Sequence, residues 1–580
     1  MPSLPQFLPA WIRHYPRRHL AADVSAGIIV TILVLPQSLA YALLAGLPPQ
    51  AGLYVATFPV IAYALFGSSM VQAVGPVAIT AIMTYSVLSP LVAPGTPEYA
   101  TLAATLSLFS GLLLLAFGAL RLGFLSQLLS RPVVSGFISG SAILIVFSQL
   151  KHLLGIELSA TNVWSALAAL PEQLGHTNRW TLLIAFASLL TLGFARLWLQ
   201  GLLVKMGLRQ GAAAFLVRLT PLLVVAVATL LVVGLDLDRQ AGVAVVGGIR
   251  EGLPGISLFL PDAQSIRLLA IPALLMALIG MVQNIAMAQA LAIRRQERIN
   301  PNGELLGLGA ANVVAAFYGG MPVGGGVSRS AVNVAAGAET PLASIVAAIA
   351  MLLVVAGFAP LFARLPLAVL AASIMVAAVS MIDLRALKQA WNYDRADAAA
   401  LLGTGFGVIA LGLENGIALG ILLSLATLLL RASTPHIAVI GRIPDSEHFR
   451  NVERHGVETI PGVLLLRIDE SLFFGNLSAV ESRLTLELDK APQTQDVVLI
   501  MSAVNRVDTT AMEVLNDLNR DLGGRHIRLH LAEIKGPVQD RLQRSPLWPA
   551  LSGQVFLSVN DAFEALRLCQ EQLEPEASAA

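Results

Sequence analysis

Residues 324–333 read GGGVSRSAVN, from Gly324 to Asn333, and they place an arginine, Arg329, after glycine-rich chain in the middle of a long apolar tract. On insertion scales a charge at that depth costs roughly 2.5–3.5 kcal/mol unless something compensates it. The composition around it makes the cost real. Of 580 residues 56% are hydrophobic and 13% charged, with a mean hydropathy of +0.74, which is outside the range of a soluble globule. A bilayer crossing needs roughly 20 mostly apolar residues. Such runs recur from Val24 to Leu430, whereas from about His436 onward charged and apolar residues alternate as in a soluble domain. The chain therefore reads as a polytopic α-helical membrane protein over 24–431, with an N-terminal segment 1–23, a small α/β domain 436–570 and a flexible tail 571–580.

Outward from the arginine, about fourteen apolar segments are predicted: 24–44, 52–66, 75–92, 99–120, 133–150, 181–198, 215–234, 268–292, 304–318, a broken one at 328–336, then 341–362, 367–381, 396–411 and 416–430. The even-numbered connections hold the basic residues: Arg121 and Arg131; Arg196, Lys205 and Arg209; Arg294, Arg295 and Arg298; Arg385 and Lys388; Arg431. That bias puts both termini in the cytoplasm. Lys151, Arg250, Arg267 and Arg364 fall on the opposite side, in longer loops where the bias is weaker. The N-terminus offers Trp11, Arg13, His14, Arg17 and Arg18 and no small-residue cleavage site, which suits a cytoplasmic anchor rather than a removable signal. The polar strip 384–397 reads as an interfacial helix.

Two segments depart from plain helix. In the third, Gly75-Pro76 opens the apolar run, predicting extended chain that turns into a helix with proline in its first turn. In the tenth, Gly319, Gly320, Pro322 and three further glycines precede Ser328. Irregular backbone at membrane depth is tolerated where protein buries it or a cavity hydrates it. Interrupted segments at matching places in two halves mark a transporter site between inverted repeats; here they stand third in the first seven and third in the second. Two half-helix N-termini each bring about half a positive charge and unpaired N–H donors, so with Arg329 they describe an anion site. Ser328 is expected to cap the second half-helix and Ser330 to offer a hydroxyl. The structural alternative is that Arg329 snorkels to an interface or pairs with Glu339 or Glu304.

Other chemistries find no footing. One cysteine, Cys569, allows neither a disulfide within the chain nor a cysteine metal site. A net charge of +1 offers no basic surface for nucleic acid. No Walker loop, catalytic-triad spacing or His/Cys cluster occurs, so no enzyme activity, metal or cofactor is expected.

The stretch Leu35-Pro-Gln-Ser-Leu-Ala-Tyr-Ala-Leu-Leu-Ala-Gly-Leu-Pro-Pro-Gln-Ala-Gly-Leu-Tyr54, the block Asn302-Gly-Glu-Leu-Leu-Gly-Leu-Gly309 and residues Pro322 through Asn333 resemble signature blocks of the SulP sulfate permeases, also called the solute carrier 26 anion transporters. The resemblance runs from about residue 8 to 570. It implies a uracil-permease-type fold of two inverted seven-segment repeats split into core and gate domains, a homodimer, and secondary transport of sulfate, bicarbonate, chloride, oxalate or dicarboxylates by alternating access. It implies a location in the inner membrane if the source is bacterial. The substrate-binding positions it implies are Gln37, Pro76, Val77, Ala78, Ser328 and Arg329. Tyr41, one turn from Gln37 on the same face, joins them, although Gln37 and Tyr41 also read as helix-packing residues.

Many proton-coupled members carry a glutamate at the position matching Asn284. Here Gln283 and Asn284 either line the cavity or bond across helices. The expected spans hold no acid at their centres: Glu304 and Glu414 fall at ends and Asp23 precedes the first. Obligatory proton symport is thereby disfavoured, and anion exchange, sodium coupling and uniport stay open.

In the soluble part, strands at 462–468, 497–503 and 527–532 alternate with helices at 478–488, 509–522, 537–543 and 560–568, with a further short strand before the last. This part resembles the STAS domain that the family shares with bacterial anti-sigma-factor antagonists, whose strand-to-helix loop can be phosphorylated. The matching stretch is Val507-Asp-Thr-Thr-Ala511, where Thr509 is a candidate phosphosite and Asp508 a helix cap. A membrane-tethered signalling protein with STAS output is the alternative of another class.

Overall fold

The structure is a computed structural model describing residues 9–127, 130–156, 163–248, 252 and 255–577. It contains two compact units, Met1–Ser424 and Leu425–Ala580.

The principal helices of the first unit are α1 (Leu20–Leu44), α2 (Phe58–Phe66), α3 (Ala78–Leu88), α4 (Pro97–Ala119), α5 (Arg131–Leu154), α6 (Arg179–Phe194), α7 (Gln210–Gly234), α8 (Ala263–Arg295), α9 (Pro301–Tyr318), α10 (Val327–Ala335), α11 (Leu342–Gly357), α12 (Leu367–Val379), α13 (Arg395–Leu411) and α14 (Leu413–Ser433), the last of which runs past the unit's end at Ser424. Strands β1 (Val74–Gly75) and β2 (Gly324–Gly325) precede α3 and α10. Among the described residues eight helical stretches are long and apolar enough to cross a membrane. The other segments are shorter or broken, so not every one of the fourteen expected runs is a spanning helix by itself.

Helix packing shows the internal repeat. Helix α1 packs on α11 and α8 on α4; α9 packs on α4 and α2 on α11; α13 packs on α5 and α6 on α12. Each pair becomes the next when every helix is exchanged with the one seven places along. The same contacts separate a group made of α1, α2, α4, α8, α9 and α11 from one made of α5, α6, α7, α12 and α13. The strip after α12 forms an exposed helix, Leu384–Tyr393, with no buried residue. Arg364, an exception to the charge bias, is ion-paired to Asp236 and Asp238.

In the second unit six strands, β3 (Ile437–Arg442), β4 (Phe449–Asn451), β5 (Val463–Ile468), β6 (Asp496–Ile500), β7 (Arg528–Ala532) and β8 (Val555–Phe556), lie in the order β4-β3-β5-β6-β7-β8. Strands β5 to β8 are parallel and β3 is antiparallel to both neighbours. The helices are α15 (Leu477–Lys490), α16 (Thr509–Gly524), α17 (Gly536–Leu542) and α18 (Val559–Ala577); α18 extends into the stretch read as a tail. Central β6 shows why both faces must be covered: Val497 and Leu499 enter one apolar cluster, Val498 and Ile500 the other.

At the start of β6, buried Asp496 accepts Arg528 Nε–H at 2.7 Å and Nη2–H at 2.9 Å, with His530 Nε2 at 2.9 Å. Burial alone raises its pKa, but the hydrogen bonds from His530 and Arg528 outweigh that and hold the carboxyl below the usual aspartate range. Its stabilisation is therefore complete above the unfolded aspartate value, about 3.9, and is lost as pH falls through the lower folded value. Asp496→Asn is expected to cost about 1–3 kcal/mol near neutrality. It should also flatten the acid dependence of amide exchange in β6 and β7 of the full-length protein; an unchanged acid profile would place the sensitivity elsewhere.

Candidate anion-binding site

Strands β1 and β2 pair antiparallel, Val74 opposite Gly325 and Gly75 opposite Gly324, and the Gly326 N–H donates to Ala73 O at 3.2 Å. The chain leaves this ladder into α3 after Val77 and into α10 after Gly326, both extended caps without a side-chain cap bond. Two half-helices thus begin beside one paired backbone, with their first-turn N–H groups and dipoles at the same place. Two local expectations are corrected. Pro76 lies in the extended segment, two residues before α3, because pairing at Gly75 delays the helix until Val77. Gly326 rather than Ser328 is the cap of α10, because the ladder ends at Gly325 and the helix starts directly after it; the side chain of Ser328 lies outside the described residues. Ala78 is the first helical residue of α3, and Val77 and Ala78 are half-buried.

Arg329 is 6% exposed. Its Nη1–H donates to Val74 O at 3.2 Å and Nη2–H to Pro76 O at 3.4 Å, so the guanidinium bridges the carbonyls on either side of Gly75. No carboxylate pairs with it among the described residues. The partners anticipated for it are engaged elsewhere: Glu339 with Arg295 at 2.9 Å, and Glu304 with the groups named below. Ser330 is drawn toward β1, where its Oγ accepts the Ala73 N–H at 3.0 Å.

The approach is possible only because residue 75 is glycine: a Cβ there would sit 1.6 Å from Arg329 Nη1. Gly75→Ala must expel the guanidinium. Its expected effect is a loss of anion uptake of tenfold or more, while solute uptake equal to wild type would show that the bridge is dispensable.

Sequence reasoning missed a polar chain behind this ladder. Glu304, fully buried, accepts Tyr63 Oη–H (2.6 Å) and Asn284 Nδ2–H (2.8 Å) at Oε2, and the N–H groups of Ser68 (2.9 Å) and Ser69 (2.8 Å) with Ser68 Oγ–H (2.7 Å) at Oε1. Asn284 Oδ1 accepts Gln72 Nε2–H at 2.6 Å. A Cβ on Gly325 would meet both amides, at 2.3 and 2.7 Å. Two further asparagines hold the broken segment: Asn312 exchanges bonds with both main-chain groups of Val323 at 3.0 Å, and Asn333 donates to Val71 O at 2.9 Å. Asn284 therefore serves a bond across helices, the second reading given for it. Gln283 is half-buried.

The other expected site residues face a separate space. A cavity of about 200 Å³ is lined by Gln37 and Tyr41 of α1, Val332 of α10, and residues of α6, α7 and α12. It thus lies between the two helix groups. Arg329 instead borders a void of about 20 Å³ with Val74 and Thr31, room for one water at most. In the second unit Thr509 is exposed at the start of α16, whose cap is Asp508, accepting the Ala511 N–H at 2.8 Å.

A model of the sulfate permease family matches residues 20–404, and one of the STAS domain matches 456–562. The chain belongs to the sulfate permease family. This sulfate permease family member is accordingly a multi-pass anion transporter and not an enzyme. It is 33% identical over 558 residues to a probable sulfate transporter of Mycobacterium tuberculosis, covering 96% of this chain and 97% of that one. It is 32% identical to sulfate transporter 1.2 of Arabidopsis thaliana, covering 96% and 86%. Its fold matches that of SLC26A9 with a TM-score of 0.86 at 22% identity, over 98% and 93% of the chains. It matches the transmembrane domain of a cyanobacterium bicarbonate transporter, BicA, with a TM-score of 0.60 at 25% identity, over 69% and 98%.

Proposed function

We propose that the protein is a secondary transporter of sulfate or a related oxyanion, working by alternating access, with the anion held where α3 and α10 begin. The observation that carries this reading is Arg329: a buried cation with no carboxylate partner among the described residues, tied to main-chain carbonyls beside two half-helix N-termini. A small oxyanion supplies the missing negative charge and accepts both the guanidinium and the first-turn N–H groups. Gln37 and Tyr41 of α1 line the separate cavity between the two helix groups by which the anion would approach, and relative movement of those groups carries it from side to side. The curated relatives named sulfate transporters favour sulfate over bicarbonate, chloride or a dicarboxylate. We place the N-terminus and STAS domain in the cytoplasm, in the inner membrane of a bacterial source, and expect a homodimer. Thr509, exposed at a helix start, is the position at which a regulatory phosphate would be favoured.

Coupling is not by a carboxylate at position 284. The acid bonded to Asn284, Glu304, spends both of its oxygens on five hydrogen bonds within the protein, a structural use, so we favour sodium or a counter-anion over a proton. The test is uptake of radiolabelled sulfate into proteoliposomes with imposed sodium, pH and internal chloride gradients. Uptake that follows one gradient identifies the coupling. Failure under all of them with a folded protein rejects sulfate and brings bicarbonate and dicarboxylates forward.

A further inference from the structure

Among the residues lining the 200 Å³ cavity one carries a charge, and it is not one that the sequence placed in the site: Arg196, with Gln37 and Tyr41 across from it and Ser373 and Val376 of α12 beside it. Arg196 sits in a π-turn, Ala195–Leu199, that interrupts an otherwise continuous helix from Arg179 to Lys205. Such single turns carry an extra residue at a cost to the helix and concentrate at functional sites. Leu192 and Arg196, four residues apart, both face the cavity, while Leu197 and Trp198 directly after are 68% and 62% exposed on the apolar outer surface. Arg196 itself is exposed, at the rim rather than the floor. Its one described hydrogen bond is at the limit of length, from Nη1 to Val376 O at 3.5 Å, and no carboxylate pairs with it among the described residues. A guanidinium has five donors in a fixed fork suited to an oxyanion, so most of that capacity is unspent among the described residues.

We propose that Arg196 is a second anion contact of the transporter, which draws the anion to the rim of the cavity and presents it to Gln37 and Tyr41 before it reaches Arg329. This rests on the oxyanion-transport reading above. The arrangement separates two tasks: a rim charge in contact with solvent raises the local anion concentration, while the buried charge fixes the anion. The bond to Val376 O also admits a purely structural role, closing the last turn of α12.

The test compares wild type, Arg196→Gln and Arg196→Lys, full length in proteoliposomes, by initial rates of radiolabelled sulfate uptake against sulfate concentration at two ionic strengths. The contact role predicts a KM raised about tenfold in Arg196→Gln with maximal rate within about twofold of wild type. It predicts a KM less sensitive to salt than in wild type, and substantial recovery in Arg196→Lys, which keeps the charge. An unchanged KM overturns the proposal. So does a lowered maximal rate with a lowered Tm in both variants, since that is the signature of a helix cap. If wild type moves sulfate under no gradient, the transport reading has itself failed and the proposal falls with it; if wild type transports and only the KM prediction fails, the fault lies with Arg196 alone.

Discussion

Arg329→Ala is expected to reduce sulfate uptake to the level of empty liposomes, a loss of tenfold or more, because it removes the permanent cation of the site. Stability should move the other way or not at all. A buried cation without a counter-charge costs free energy in the anion-free protein, so the alanine variant is expected to melt at or above the wild-type temperature in sulfate-free detergent. Added sulfate should raise the Tm of wild type, by linkage of binding to folding, and leave that of the variant unmoved. Arg329→Lys should recover only part of the uptake, since an ammonium keeps the charge but not the fork that spans Val74 O and Pro76 O. A variant that melts early and regains sulfate-induced stabilisation at high sulfate would mean that the arginine holds β1 in place rather than the anion.

Glu304→Ala is expected to cost the fold more than any change at the anion site. The side chain satisfies the N–H groups of Ser68 and Ser69, the hydroxyls of Tyr63 and Ser68, and the Asn284 amide. Each buried donor left unmet costs about 1–3 kcal/mol, so three of them at the low end already sum to roughly 3 kcal/mol. The loop 67–73 would lose its anchor, and β1 with it. Glu304→Gln keeps one oxygen but points an N–H at groups that themselves donate, so it should also destabilise, by a smaller amount. The measurement is thermal unfolding of both variants in detergent with sulfate uptake alongside. A Glu304→Gln variant of wild-type stability that loses a pH dependence of uptake present in wild type would recast the residue as a proton carrier.

How much of this was legible from residues alone follows the range of each signal. Apolar periodicity and the Gly/Pro interruptions are local, so the broken segments at 75 and 324 were found and the half-helix expected at 328–336 is observed as Val327–Ala335. The central strands of the soluble domain were equally plain, since β6 is buried on both faces and reads as a continuous apolar run. Strand β4 was missed because it is a three-residue edge strand, and β3 because it is antiparallel to both neighbours and stands before the alternation of strand and helix that makes the rest of the domain legible. Glu304 was placed correctly at a helix end, where an acid ordinarily meets water. The chain buries it by laying Ser68 and Ser69, some 235 residues earlier, across it.

The sequence by itself determined that this is a polytopic membrane protein with a small α/β domain, that two broken helices recur seven segments apart, and that an arginine stands at the second of them. All of these are properties of neighbours along the chain. Only the tertiary structure decided what the arginine bonds to, that Glu304 and Asn284 form one buried pair, and that Arg196, read only as a basic residue of a connection, borders the same cavity as Gln37. Those facts depend on which helix faces are packed together in the folded unit, and no local pattern of apolar and polar residues encodes which partner a buried polar group will find.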